Sequence, residues 1–331
     1  MSTKEKKIIL APCCVIVQGR NYSCIYDLQR NGIYRFPNKY LSIFHKDLAG
    51  REVWTILTEN SSPQEREFID SLKENQLCVA TSQSDYFRPL GTECYIERFC
   101  ENAIIDRDEE SVFSMEEVSK KLSLVSCAAI SLRYFYPASI GVIESDLRAF
   151  IDSTVRYIEV HCVYSGKFSQ VDFPEFKRRN GRVGAFIFYL GEEDKTINQG
   201  SDFYLQFKRV PMDSSSTCGC VSMRKMRAQT QLYIESKNYN NCLYRKVYID
   251  SRGQVRNCPG TSRCYGMIDD DKLRLNAVLC SSEFQEYWTL TKDVIEECQD
   301  CEFRYACIDC RCSLQEPGNI YSKPSKCQYI P

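Results

Sequence analysis

The residues whose types and spacing could do chemistry are cysteines. Cys298-x2-Cys301-x5-Cys307-x2-Cys310 is followed by Cys312 and, farther on, by Cys327; upstream stands Cys242-x10-Gly253-x4-Cys258, with Cys264 shortly after it. Thiolates at such short spacing on loops can converge on one ion or cluster, while the long gaps bring the remaining ligands from elsewhere in the fold. Thiolate-only sets favour zinc or iron–sulfur clusters. A single C-x2-C arises easily by chance, but seven positioned cysteines with a glycine at fixed offset form a joint signal for a metal or cluster site. Other chemistries have little to work with. His45 and His161 are the only histidines, which leaves little room for histidine acid–base catalysis or His-rich zinc sites. His161 beside Cys162 reads as a strand histidine or a neighbour of a cluster. No glycine-rich phosphate loop of the Walker type occurs, so ATP use by this chain is not expected.

The composition narrows the setting. The chain has 331 residues and 20 cysteines, 8 of them within residues 1–217 and 12 within residues 218–331. A disulfide scaffold of that density needs an oxidising compartment. Lys4-Glu5-Lys6-Lys7 followed by the apolar run Ile8–Val17 superficially resembles a secretion signal. The run contains Pro12, however, the basic region carries a glutamate, and Gln18-Gly19-Arg20 replaces a small-residue cleavage site. It reads as a buried strand. Nothing approaches the ~18 apolar residues of a membrane span. The expectation is a cytoplasmic protein whose cysteines are metal ligands. A net charge of −1 argues against nucleic acid as a partner, and 43% hydrophobic with 26% charged residues describes a soluble globular chain.

The elements that must position the cysteines fall into three blocks. Residues 1–85 read as a small winged-helix-like module, ordered hairpin–helix–helix–strand. Its hairpin spans Tyr22–Phe36 around Asn31-Gly32, a helix opens at Pro37-Asn38 with Leu41, Phe44 and Leu48 on one face, and a second helix is capped by Ser62-Pro63-Gln64-Glu65. Residues 86–236 alternate strands and helices. Strand-like segments Asn102–Asp106, Ala128–Phe135, Tyr157–Tyr164 and Val183–Leu190 are separated by helical patterns, the last of them at Phe173–Arg179. This is the rhythm of βα units on a parallel sheet. Further strands are expected at Phe203–Val210 and Gln229–Glu235. The region is too short for an eight-fold barrel of ~250 residues, so a partial barrel or curved open sheet is expected. Residues 237–331 form the cysteine-rich block. Asp269-Asp270-Asp271 reads as a solvated loop, and Arg224-Lys225-x-Arg227 as an exposed basic face.

This cysteine pattern resembles the SPASM domain, the C-terminal module that carries auxiliary [4Fe–4S] clusters in radical-SAM peptide-modifying enzymes. The chain departs from the family spacing once, because two residues rather than three separate Cys307 from Cys310; Cys312 can substitute. Carried over by position, the resemblance implies a first cluster on Cys242, Cys258 and Cys310, with an open position or Cys264. It implies a second on Cys298, Cys301, Cys307 and Cys327. The C-x3-C-x2-C motif of radical chemistry is missing: Cys94, Cys100, Cys127, Cys162, Cys218 and Cys220 nowhere take that spacing. Over nearly the whole chain, Asp27-Leu28-Gln29-Arg30, Asn102-Ala-Ile-Ile-Asp106, Cys301-Glu-Phe-Arg-Tyr305 and Tyr321-Ser-Lys-Pro324 resemble the SPASM-domain peptide maturases of grasp-with-spasm (graspetide-type) systems.

The resemblance implies an α/β fold: a degenerate partial (βα) barrel of radical-SAM type between a winged-helix-like module (similar to PqqD) and a SPASM domain. It implies two [4Fe–4S] clusters, with zinc as the alternative, and no S-adenosylmethionine. The implied partners are a ribosomal precursor peptide and an ATP-grasp ligase. The leading reading is an accessory protein that binds the precursor for the ligase, without a reaction of its own being defined. The competing readings are an iron–sulfur redox or Lewis-acid enzyme acting on the peptide, and a zinc-stabilised interaction protein.

Overall fold

A computed structural model describes residues 6–46, 54–83, 86–88, 91, 99–212, 221, 226–308 and 310–331. Cys94, Cys218, Cys220, Leu48 and the Arg224-Lys225 pair lie outside the described residues.

The middle of the chain is wound in one direction. Strands β8 (Asn102–Arg107), β9 (Ala129–Tyr134), β10 (Tyr157–Val163) and β11 (Val183–Tyr189) alternate with helices α2 (Met115–Leu124), α3 (Ile140–Arg148) and α4 (Phe173–Arg179). Each strand lies parallel to its predecessor, and β13 (Tyr204–Lys208) continues the series beside β11. Consecutive crossovers of the usual right hand carry the sheet steadily one way and put every helix on the same face. That face is dry: Ile130, Leu132, Ile158, Val160, Phe186 and Phe188 pack against Val118, Leu122, Ile143, Leu147 and Phe176. The helix starts follow from local chemistry. Ser114, Ser139 and Asp172 each accept a backbone N–H from the first turn of the helix they cap.

The sheet is completed from outside this series. Strand β14 (Lys246–Ile249) lies parallel to β8, β15 (Val255–Arg256) turns back against β14, and β12 (Lys195–Asn198) closes the far edge antiparallel to β13. The order is β12-β13-β11-β10-β9-β8-β14-β15, an open, mostly parallel eight-stranded sheet. The architecture is therefore mixed α/β.

The N-terminal residues build two small antiparallel sheets. β1 (Lys7–Leu10), β5 (Phe44–Lys46), β6 (Trp54–Ile56) and β7 (Cys78–Thr81) form one, in the order β5-β6-β1-β7. β2 (Cys14–Gln18), β3 (Tyr22–Asp27) and β4 (Gly32–Pro37) form the other. Helix α1 (Pro63–Glu74) begins with the reciprocal capping box foreseen at Ser62 and Glu65. Three expectations fail here. The run Ile8–Val17 is two strands rather than one, because Pro12 has no N–H to give a ladder and the chain turns there, Cys14 N–H donating to Ala11 O at 2.8 Å. The first helix of the module is only a short 3-10 segment, Asn38–Ile43, after which Phe44–Lys46 pairs with β6. The segment expected as a strand at Gln229–Glu235 is helix α5 (Thr230–Asn238), whose buried Tyr233 and Ser236 lie one turn apart.

The three-stranded sheet does not stand alone. Val17, Cys24, Tyr26 and Leu28 share a core with Tyr233, Phe303, Tyr305 and Ala306. The β2–β3 turn rests on the turn Cys298–Cys301, with Arg20 N–H donating to Asp300 O at 2.8 Å. A Cβ on Gly19 would lie 2.7 Å from Glu302 N and 2.9 Å from Asp300 O, both backbone atoms that cannot swing aside. Gly19→Ala should therefore lower the unfolding free energy by about 1–3 kcal/mol, read as a shift of the urea midpoint. An unchanged midpoint would show that the two segments are not in contact.

Candidate metal centre

The hairpin β14–β15 carries the first pair of cysteines. Its reversal is a turn in which Gly253 N–H donates to Asp250 O at 2.8 Å, while Asp250 Oδ1 accepts from Arg252 N–H (3.0 Å) and Gln254 N–H (2.9 Å). Gly253 sits at φ +80°, a conformation that L side chains rarely adopt. The glycine of Cys242-x10-Gly253-x4-Cys258 is thus the point where the chain doubles back. Two buried asparagines hold the cysteine-bearing ends. Asn240 Oδ1 accepts the N–H groups of Cys242 and Leu243, both at 3.1 Å. Asn257 Nδ2 donates to Leu243 O (3.0 Å) and Lys246 O (2.7 Å).

The C-terminal quartet reaches this hairpin through its last members. Cys312 Sγ lies 3.4 Å from Cys258 Sγ. Its thiol is pushed far up first by the hydrogen bond to Cys258, then by burial, and then by the neighbouring Cys258, Cys310 and Cys242 sulfurs. Cys258 is held down, chiefly by that hydrogen bond and also by Gly260 N–H, Lys246 and Arg133. Gly260 makes the approach possible, since a Cβ there would stand 2.5 Å from Cys312 Cβ. Cys242, Cys258, Cys310 and Cys312 are therefore one group. Cys264 is exposed and, among the described residues, hydrogen-bonds with Gly266 of its own loop.

A second group lies under the N-terminal sheet. The Cys301 thiol is pushed up to about 12, first by burial, and also by Glu302, Cys307 and Cys327 close by; Phe303 N–H, 3.4 Å from its sulfur, opposes the shift. Cys298 precedes Cys301 by one 3-10 turn, Cys301 N–H donating to Cys298 O at 3.0 Å. Glu302, between Cys301 and Phe303, is fully buried, and its Oε1 accepts from Arg35 Nε (2.7 Å) and Tyr329 OH (2.6 Å). Asn241 Nδ2 donates to Cys307 O at 2.9 Å, linking the neighbour of Cys242 to the second group.

These donors suit a thiolate-bound centre. Backbone N–H groups point at Cys258 and Cys301, and cations flank Cys258, all of which favour thiolate over thiol. Around a single zinc at ~2.3 Å from each sulfur, four thiolates would stand roughly 3.8 Å apart. Among the described residues no three of the C-terminal sulfurs lie within 4.8 Å of one another.

The sheet face opposite the helices holds polar residues that sequence reasoning missed, His161 apart. At the carboxyl ends of the parallel strands, Arg133 donates twice to Asp106 (2.6 and 2.7 Å), and Tyr248 OH donates to the same carboxylate at 2.7 Å. His161 Nδ1 lies 3.2 Å from Tyr189 OH, which Lys208 Nζ approaches at 3.4 Å; His161 Nε2 faces Glu159 Oε2 at 3.5 Å. Burial holds the His161 ring below its ordinary value of 6.5. The available signal was polar residues alternating with apolar ones late in otherwise apolar strands. Asp269, Asp270 and Asp271 are exposed. Comparison with protein-family models, curated proteins and solved structures finds no match.

The grouping makes a testable division. Cys312→Ser should remove about half of the metal bound by the full chain and leave the rest, and Cys327→Ser should remove the complementary half. Full metal content in Cys312→Ser, with loss instead in Cys264→Ser, would contradict the assignment.

Proposed function

We propose that this chain is an iron–sulfur accessory protein of peptide maturation, which binds a ribosomally made precursor peptide and acts with an ATP-grasp ligase. The observation that carries the reading is the gathering of the C-terminal cysteines into two groups. One stands against the parallel sheet (Cys242, Cys258, Cys310 and Cys312) and one beneath the N-terminal sheet (Cys301, Cys307 and Cys327, with Cys298 adjoining). Each would hold one [4Fe–4S] cluster, and a bound cluster would supply electron transfer or an acidic iron centre. The SPASM-type spacing and the one-directional βα series support the same reading. Cys100, Cys127 and Cys162 belong to three separate strands or their approaches, rather than one loop. That supports the absence of S-adenosylmethionine chemistry.

The N-terminal sheets supply the peptide-binding part of the proposal. β4 is an edge strand, paired on one side by β3 and by no other strand among the described residues. An extended peptide can add to such an edge through backbone hydrogen bonds. Among the described residues no helix is long and apolar enough to cross a membrane.

A second reading, an enzyme acting on the peptide, is favoured by the polar sheet face. Arg133 both pairs with Asp106 and stands close enough to Cys258 to stabilise its thiolate, so the first group and the Glu159–His161–Tyr189–Lys208 chain share one neighbourhood. In open α/β sheets, ligands commonly bind outside the carboxyl ends of the strands.

Hydrogen exchange of the full chain, with and without the precursor encoded beside an ATP-grasp ligase, tests the leading reading. Amides of Gly32–Pro37 should exchange more slowly with the peptide bound. Absence of binding, or protection confined to residues outside β2–β4, would contradict it.

A further inference from the structure

Two cysteines far from both C-terminal groups also meet a carboxylate. Cys13 Sγ, Cys14 Sγ and an Asp27 carboxylate oxygen lie within 4.8 Å of one another, the only such trio among the described residues. We propose that Cys13, Cys14 and Asp27 form a separate site for a single divalent, thiophilic cation, with zinc as the ion the donor set fits.

The backbone brings the three side chains into one neighbourhood. Cys14 and Asp27 are directly opposite in the β2–β3 ladder, so their side chains leave the sheet on the same face. Cys13 occupies the turn made by Pro12, and its carbonyl accepts Leu28 N–H at 3.0 Å, which fixes it against the end of β3. Two sulfurs and one oxygen around zinc stand roughly 3.5–3.8 Å apart, so closing the trio onto an ion asks only for small side-chain movement. Cys14 and Asp27 are buried, whereas Cys13 is half-buried and opens the site toward solvent, which leaves a route of entry and a fourth position.

Charge supports a divalent ion. Asp27 accepts from Gln29 N–H (3.1 Å), Arg30 N–H (2.9 Å) and Arg30 Nε (2.5 Å), so the metal-free site is a neutral carboxylate–guanidinium pair beside two thiols. Two thiolates, one carboxylate and one guanidinium sum to −2, which a divalent cation again neutralises. Arg30 is held from the other side by Asn75 O and Gln76 O, each at 3.1 Å, so it can yield one carboxylate lone pair and remain in place. The Asp27-Leu28-Gln29-Arg30 stretch then acts as a ligand and its charge-balancing neighbour in one turn. Because Cys13 directly precedes β2 and Cys14 opens it, an ion here would tie the entry of the three-stranded sheet to the end of its central strand.

The test uses the full chain with its C-terminal centres in place. Elemental analysis should show about one zinc per chain more in the wild type than in the C13S/C14S double variant, with iron and sulfide unchanged. Cobalt(II) added to metal-depleted N-terminal sites should give thiolate-to-cobalt absorption in the wild type. C13S, at a half-exposed position, should weaken that binding at least ~10-fold, and R30Q, which removes the competing cation, should strengthen it. Equal zinc in the wild type and the double variant, or cobalt affinity unmoved by both C13S and R30Q, would overturn the proposal. A Cys13–Cys14 disulfide found by mass in anaerobically purified protein would overturn it as well.

Discussion

The parallel pairing of β14 with β8 is the constraint on which the rest of the structure depends. Lys246–Ile249 enters the sheet beside Asn102–Ile105, four residues after Cys242 and nine before Cys258. A strand buried in a parallel sheet can slip only by exposing its apolar side chains, so its register is strongly specified. Val247 and Ile249 belong to the main core and Tyr248 bonds Asp106 across the opposite face. That register fixes where the β14–β15 hairpin ends, and hence where Cys242 and Cys258 await Cys310 and Cys312. A cysteine-rich segment with little secondary structure of its own thus borrows rigidity from the sheet. The same strand carries the first thiol group to the edge of the polar face, where Arg133 serves both.

The second thiol group borrows its rigidity from the N-terminus. Glu302 is the pivot: fully buried, it holds Arg35 of β4 and Tyr329 near the C-terminus through one oxygen, while its backbone carbonyl accepts from Tyr26 OH at 2.9 Å. The Glu302 carboxylate is buried while Arg35 is 38% exposed, so losing Arg35 would leave a buried charge short of its counter-charge, at a cost softened by the solvent that reaches the guanidinium. The three-stranded sheet is therefore part of the scaffold of Cys301, Cys307 and Cys327. Peptide addition at β4 would be felt one residue from Cys301, since Arg35 reaches Glu302 and Glu302 adjoins Cys301.

Much of this was legible in the sequence where local chemistry and pattern agree. The alternation of Asn102–Asp106, Ala128–Phe135, Tyr157–Tyr164 and Val183–Leu190 with helical patterns marked four parallel strands, Ser62-x-x-Glu65 marked α1, and Phe173–Arg179 marked α4 to the residue. The cysteine spacing singled out Cys258 and, as a possible extra ligand, Cys312, whose sulfurs stand 3.4 Å apart. What stayed hidden depends on partners distant in sequence. Gln229–Glu235 alternates like a strand, but Tyr233 finds Tyr26 and Tyr305 at ring-centroid distances of 6.3 and 5.5 Å, and a helix presents it to both. Phe44 follows a helical spacing, yet its neighbours pair with Trp54–Ile56. The approach of Cys312 to Cys258 depends on Gly260, where a Cβ would stand 2.5 Å from Cys312 Cβ, which spacing alone cannot express. The polar sheet face was hidden because its members come from six strands, one or two residues each.

The central claim is that the two thiol groups hold iron–sulfur clusters. The most direct measurement is the iron, zinc and acid-labile sulfide content of the full chain purified without oxygen, read together with its visible spectrum. Two cubes require about eight irons and eight sulfides per chain, with the broad absorption of cluster charge transfer. A colourless protein containing zinc and neither iron nor sulfide would contradict the account.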